Sequence, residues 1–498
     1  RRPPRSTLFP YTTLFRSWQG ASTASFYGNN GRVVFSGDQL SQISVSSGFY
    51  DLEIYKQCDG LGVQLSSGVI INVSNQLNII SGGLGTTDHN VIDVNNDLTI
   101  NNGAGLNLSG EAIELSLEGD VVNDNEDNTP VTGFYPGSSL TIFEGSDDQF
   151  FTAPTPISFH DLRIGIYNAS FRPNRGVYAH DLEIVRGGYY PTPTASSCVL
   201  YGDLYVHYYG RWWDHNNILV LTGNEEQTIQ IDAPADSCWF NRISLNKVQR
   251  SSGTRSQDVY LLSNLELRNQ GILEIASANL DLNGNELTTT AYVDVNNYGF
   301  LNIPEDSALI LGQGLYVRNN GTLNINGTEE LPASISNYGS SRPFFQVEYN
   351  GRISAEWCMF LYLNASGVNV MPGAIVDPLK AFNNCSFFYG QSGGNALTLN
   401  DSGFYTVTGA RFGENGWGSE YNVSKTEETG EVIFVSPIGS FSGPAFENDA
   451  YNRIQWPDYK PDLVVNSFSF SNYTPELTEG ITDRKSTRLN SSHGKLAR

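Results

Sequence analysis

The chain has 498 residues, with 52 Asp and Glu against 29 Lys and Arg, for a formal net charge of −23. So acidic a chain is a poor partner for nucleic acid, whose phosphates need clustered Lys and Arg, and no apolar run approaches the ~20 residues of a transmembrane segment. Five cysteines without a CxxC pair exclude a zinc ribbon, a thiol redox motif and a disulfide-framed scaffold, while 50 Gly, 26 Tyr and 26 Phe point to one extended all-β array.

The two ends are set apart first. Residues 1–17, RRPPRSTLFPYTTLFRS, and 483–498, which begin DRKSTRLNSSH, are similar to translated sequencing-adapter sequence and are excluded from fold reasoning as not native. Without them 20 basic residues face 51 acidic ones, a net charge of about −31. Such acidity suits solubility, saline surroundings and divalent cations.

From Trp18 to residue 430 the chain reads as repeats. Val33-Val34-Phe35-Ser36-Gly37 leads to Phe49-Tyr50-Asp51-Leu52-Glu53-Ile54. The succession returns as Ile142-Phe143-Glu144-Gly145, Gln149-Phe150 and Phe159-His160-Asp161-Leu162-Arg163-Ile164. A third copy is Val220-Leu221-Thr222-Gly223, Gln227-Thr228-Ile229 and Phe240-Asn241-Arg242-Ile243-Ser244-Leu245. The glycines of the three copies are 108 and 78 residues apart, which indicates a module of several coils. Period-two strands follow each copy, and helical periodicity is almost absent.

Two stretches in this part carry candidate sites. In the acidic run 120–128, Asp124, Glu126 and Asp127 concentrate hard oxygen ligands that suit Ca2+, although the spacing is not that of an EF-hand and a solvated loop is the plainer alternative. The densest aromatic cluster is Tyr205, Tyr208, Tyr209, Trp212 and Trp213. If outward, Tyr205, Tyr209, Trp212 and Trp213 would stack on sugar rings. Strand alternation places Tyr205 and Tyr209 on one face and Val206 and Tyr208 on the other, so half the cluster is expected in the core. No catalytic residue is assigned: no motif sets a carboxylate pair, and His89, His160, His180, His207 and His215 show neither HExxH nor triad spacing.

Between Leu267 and Ala355 a nine-residue phrase, apolar-x-Asn-x-Gly-x-apolar-x-apolar, recurs with glycines at Gly271, Gly299, Gly321 and Gly351, the last with Tyr349 in the Asn place. Alternating apolar residues on both sides of an Asn/Gly corner describe two short strands meeting at a bend. A unit of 22 to 30 residues cannot bury its own apolar face, so neighbours must stack on it. The fold class is therefore all-β, a right-handed parallel β-helix, roughly 80 Å long at ~4.8 Å per coil. Asn269, Asn297 and Asn319 are expected at equivalent corners, with their side chains in a ladder. Phe360, Phe387 and Phe412, 27 and 25 residues apart, are expected to stack along the axis. Cys358 and Cys385 fall in matching phrases of adjacent coils, as buried thiols or as a bridge.

Residues 431–460 read as a cap and a Pro-marked linker. The phrase Leu273-Glu274-Ile275-Ala276-Ser277-Ala278-Asn279-Leu280-Asp281-Leu282-Asn283-Gly284-Asn285-Glu286-Leu287-Thr288, together with the modules above, resembles the repeat regions of large bacterial surface and secreted proteins. Residues 461–482 resemble the first strand of the cell-adhesion-related domain of bacteria, a truncated immunoglobulin-like strand at the C-terminus. These resemblances imply export, often by the type IX route, an extracellular or cell-surface location, and an adhesin or stalk role with a surface polysaccharide or other extracellular ligand as partner. Residues 356–417 resemble the pectin-lyase-like β-helix, which implies the alternative of a polysaccharide lyase or glycoside hydrolase working through paired carboxylates.

Overall fold

The structure is a computed structural model. It describes residues 13–15, 30–58, 60–195, 197–213, 217–247, 258–413, 421–439 and 441–457. They belong to one compact unit, Arg1–Tyr459. The expected adhesion-type strand at 461–482 and the tail at 483–498 lie outside the described residues. Among those residues there is no α-helix, only two 3-10 turns at Ala235–Ser237 and Pro444–Phe446.

Each turn of chain gives one strand to each of three sheets. Ala308–Leu311, Gly314–Val317 and Thr322–Asn326 belong to the first, second and third sheets in order. In the next turn Ala333–Asn337, Phe344–Val347 and Arg352–Glu356 stack on them in parallel register. Repetition of this step makes a parallel β-solenoid of about 17 turns. Long strands such as Ser47–Lys56 and Asp161–Pro173 run round a corner and serve two sheets.

Period-two alternation is what closes the core. Leu309, Leu311, Leu315, Val317, Leu323 and Ile325 all point inward and are fully buried, and each such burial stabilises by about 1.5–3 kcal/mol. The expected aromatic stack is present: Phe360 to Phe387 is 5.2 Å and Phe387 to Phe412 is 5.5 Å between centroids, with rings within 13° of parallel. A second interior stack, not foreseen, runs through Tyr189, Trp212 and Phe240 at 4.6 and 5.0 Å. Cys358 and Cys385 sit in adjacent turns as buried free thiols, with their sulfurs 2.8 Å apart.

Three lysines enter the interior and are satisfied by chain carbonyls. Lys56 Nζ donates to Ser36 O and Gln39 O at 3.1 and 2.6 Å, Lys247 Nζ to Glu225 O at 2.7 Å, and Lys425 Nζ to Leu399 O and Asp401 O at 3.1 and 2.7 Å. Desolvation makes a buried ammonium costly unless such acceptors surround it. Burial accordingly pulls the pKa of Lys247 down to about 8.

The corners correct two expectations. Asn297 and Asn319 do follow second-sheet strands, but Asn269 lies where the first sheet turns into the second, since Leu267 pairs with Phe240 on one and Ile272 with Arg242 on the other. No corner ladder links the three. A ladder forms instead on the outer face of the third sheet, where Asn324 Nδ2 donates to Asn302 Oδ1 at 2.6 Å and Asn302 Nδ2 to Asp281 Oδ2 at 2.8 Å. Likewise the three long module copies are not superposed. Gly37 ends a first-sheet strand, Gly145 precedes the first-sheet strand Gln149–Thr152, and Gly223 follows the second-sheet strand Ile218–Leu221. Strand-bend-strand is the same local geometry at every corner, so one phrase serves all three.

In the stretch read as a cap, Glu431–Val435 pairs with Phe404–Thr408 and with Ile454–Gln455, and Trp456 stacks on Phe434 at 4.3 Å. Thr13–Phe15, inside the stretch set apart as not native, pairs in parallel with Val33–Phe35.

Candidate functional site

The aromatic cluster divides at a corner. Leu204 and Val206 point inward on the third sheet, and the register then slips, so that Ile184 faces Val206 but Arg186 faces Tyr209. The slip changes the parity of the inward positions in the earlier strand, from Leu182 and Ile184 to Gly187 and Tyr189, but not in this one. Trp212 has the parity of Leu204 and Val206 and enters the core with 0% exposure, which removes it from the expected sugar-binding set, while Tyr208, of the same parity, lies at the corner and stays outside at 62%. Tyr209 is 74% exposed. Tyr205 is half-buried on the third sheet, its hydroxyl donating to Asp232 at 2.7 Å and its ring 3.8 Å from that of His207.

Trp213 is the member that joins a larger feature. Strand register aligns Phe150 with Arg172 and Trp213 with Trp239 on the outer face of the first sheet. Tyr190 lies between, its ring 5.5 Å from Trp213 and 4.5 Å from the Arg172 guanidinium. Phe150, Arg172, Tyr190, Trp213 and Trp239 thus form one outward row across five successive turns, about 19 Å long at ~4.8 Å per step. Arg172 is held by Asp148 at 2.7 Å. The row was not legible as such, because its members are 18 to 26 residues apart and only the register brings them into line.

Beside the row, at the corner between third and first sheets, is a cleft of about 490 Å³ lined by Tyr167, Asn168, Arg186, Gly187, Tyr209 and Arg211. Gly187 is required there: its φ is +71°, and a Cβ would lie 2.2 Å from Ile166 O. Arg211 belongs to both features, with its guanidinium 5.6 Å from the Trp213 ring. Among the described residues neither Arg186 nor Arg211 has a carboxylate within ion-pairing distance, in a chain where acids outnumber bases.

The third sheet carries the charged groups. Glu183 accepts from Arg163 at 2.6 Å and pairs with His207 at 2.8 Å. Burial pushes the Glu183 carboxyl up, but these two partners outweigh it and hold its pKa below the usual glutamate value. Further along, burial and then the nearby Glu144 carboxylate raise the pKa of both Asp93 and Glu118, and Ser116 Oγ donates to Glu144.

In the expected calcium loop, Asp124, Glu126 and Asp127 are exposed. The turn is closed by amides instead: Asn125 Oδ1 accepts from Gly103 N at 2.7 Å, and Asn125 Nδ2 donates to Asn101 O at 3.0 Å and to Asn123 Oδ1 at 2.9 Å. The one convergent group of metal-ligating atoms among the described residues is elsewhere, at Asp161, His180 and Asp181. Its signal was present in the chain as two His-Asp pairs 20 residues apart, one turn of the coil.

The fold and these surfaces define a class, the parallel β-solenoid repeat proteins. Comparison of the chain with family models, curated proteins and solved structures gives no match.

Proposed function

We propose that this protein is a non-catalytic, extracellular or cell-surface β-solenoid, adhesin- or stalk-like, whose first-sheet row binds an anionic polysaccharide. The observation that carries the reading is the outward line of Phe150, Arg172, Tyr190, Trp213 and Trp239 beside a cleft holding the guanidiniums of Arg186 and Arg211. Outward rings in register, exposed at Phe150 and Trp239 and half-buried at Tyr190 and Trp213, offer flat apolar faces to sugar rings. Guanidinium forks suit the carboxylate or sulfate of an acidic sugar. A straight row spaced by strands fits a linear polymer, and weak contacts gain through repetition. The resemblance of the repeats to exported proteins supports the location. On a glycan array, uronate- or sulfate-bearing polymers are expected to bind in preference to neutral ones, and Trp213→Ala with Arg211→Ala to weaken binding roughly tenfold or more. Equal binding by the double variant would remove the row from the reading.

A second reading, catalysis on polysaccharide, is favoured by one observation, the acid group of Asp93, Glu118 and Glu144, since a general acid needs a carboxyl of raised pKa. Glu144→Gln tests it through reducing-end release and unsaturated products. No turnover in either protein is the expected result, and turnover by the wild type that Glu144→Gln abolishes would replace the first reading with the second. The same variant has a pH signature. Asp93 and Glu118 have folded-state pKa values above their unfolded ones, so their contribution is most favourable at low pH and is lost as pH rises through the folded values. Glu144→Gln is therefore expected to melt above the wild type at pH 7, with the difference shrinking as the pH falls through the raised folded-state values of Asp93 and Glu118.

A further inference from the structure

The corner where the second sheet turns into the third repeats the dipeptide His-Asp on consecutive turns, His160-Asp161 and His180-Asp181, with Asp161 in register with Asp181. The imidazoles stack at 5.1 Å and 12°. Their Nδ1 atoms turn toward the carboxylates: His160 Nδ1 is 2.9 Å from Asp161 Oδ1, and His180 Nδ1 is 3.1 Å from Asp181 Oδ1 and 3.8 Å from Asp161 Oδ1. These are ion-pair approaches with poor hydrogen-bond direction, and His160 Nδ1, His180 Nδ1 and Asp161 Oδ1 are all shielded from solvent. With Nδ1 deprotonated, the same short separations set lone pairs around a common point.

A cation at that point would resolve the arrangement. Zinc bonds to imidazole nitrogen and carboxylate oxygen are about 2.0–2.2 Å long, so neighbouring ligands of a tetrahedral ion lie about 3.4 Å apart. The His180 Nδ1 distances to Asp181 and Asp161, 3.1 and 3.8 Å, bracket this value. One ligand atom from each of Asp161, His180 and Asp181 lies within 4.8 Å of the other two. The surroundings are those of a ligand set. Glu225 Oε2 stands 3.6 Å from His180 Nε2, on the far side of the ring, where a carboxylate would keep the proton on Nε2 and leave Nδ1 free to coordinate. Asp203 N donates to Asp181 Oδ1 at 2.7 Å and orients that carboxylate. Gly202 leaves the space: a Cβ there would be 2.0 Å from Asp181 Oδ1 and 2.8 Å from His180 Nδ1.

We propose that Asp161, His180 and Asp181 form a divalent transition-metal site, with zinc favoured by its mixed nitrogen and oxygen ligands, Glu225 positioning His180 from behind, and the remaining coordination position open to water or to an oxygen of a ligand. Calcium and magnesium prefer all-oxygen sets and are expected to compete poorly. The site is on a different corner from the aromatic row and does not depend on the polysaccharide reading.

The test uses the full chain, stripped with a chelator and titrated with ZnCl2 by calorimetry and with CoCl2 by visible absorption. One equivalent of Zn2+ and an intense tetrahedral Co2+ band are expected. Asp161→Asn and His180→Ala should abolish both, and Glu225→Gln should weaken Zn2+ roughly tenfold. Gly202→Ala should weaken binding although it removes no ligand, and His89→Asn, at an exposed histidine, should change nothing. Absence of stoichiometric Zn2+ uptake, or affinity unchanged in Asp161→Asn and His180→Ala, would overturn the site. If a ligand variant fails to fold, the wild-type Co2+ spectrum decides, because a weak octahedral band alone contradicts the assignment.

Discussion

Trp212→Ala is expected to destabilise the solenoid by about 3–5 kcal/mol, whereas Trp213→Ala, one residue on, is expected to leave stability within about 0.5 kcal/mol and to lose polysaccharide binding. Trp212 is fully buried between Tyr189 and Phe240, at 4.6 and 5.0 Å, so its removal leaves a cavity that two fixed strands on either side cannot fill. Trp213 faces outward, against Tyr190 and Arg211. Because a solenoid unfolds in neighbouring blocks rather than as one unit, the first effect is best read as lost hydrogen-exchange protection in the turns around residues 189–240. Equal destabilisation by the two variants would contradict the register that separates them.

Gly321→Ala is expected to cost about 3 kcal/mol or more, and Gly284→Ala only about 1–2 kcal/mol. A Cβ on Gly321 would lie 2.1 Å from Val295 O, one turn earlier, and on the equivalent Gly299 and Gly351 it would lie 2.0 and 2.1 Å from Ile275 O and Val317 O. All three are backbone oxygens rather than the free end of a flexible side chain, so the two turns must part to admit the methyl group. Gly284 has open space around its Cβ position, and its substitution is strained only by a φ of +80°. Denaturation midpoints, with protease cutting near residue 321 as a local probe, measure both. Equal shifts would mean that the close approach of Val295 O does not constrain Gly321, whose backbone is not left-handed.

The sequence by itself determined the fold class, the parallel stacking and the identity of most inward residues. Period-two alternation and the 20- to 30-residue repeat follow from strand geometry and from the inability of one turn to bury its own face. The Phe360, Phe387 and Phe412 stack was legible for the same reason, since an inward position repeated once per turn lands on the axis at each step. Only the tertiary structure decided which corner each phrase occupies. Asn269, Asn297 and Asn319 share a phrase but not a corner, because three corners of similar local shape accept the same residues. It also decided the sites. One slip of register between Val206 and Tyr209 set Trp212 on Tyr189, and the corner there turned outward Tyr208, which alternation alone would bury. Lateral alignment of Phe150, Arg172, Tyr190, Trp213 and Trp239, and the meeting of His180 with Asp161, depend on the length of every intervening turn. Those lengths vary with each corner, so alignment across turns is a sum of loop lengths that no local pattern records.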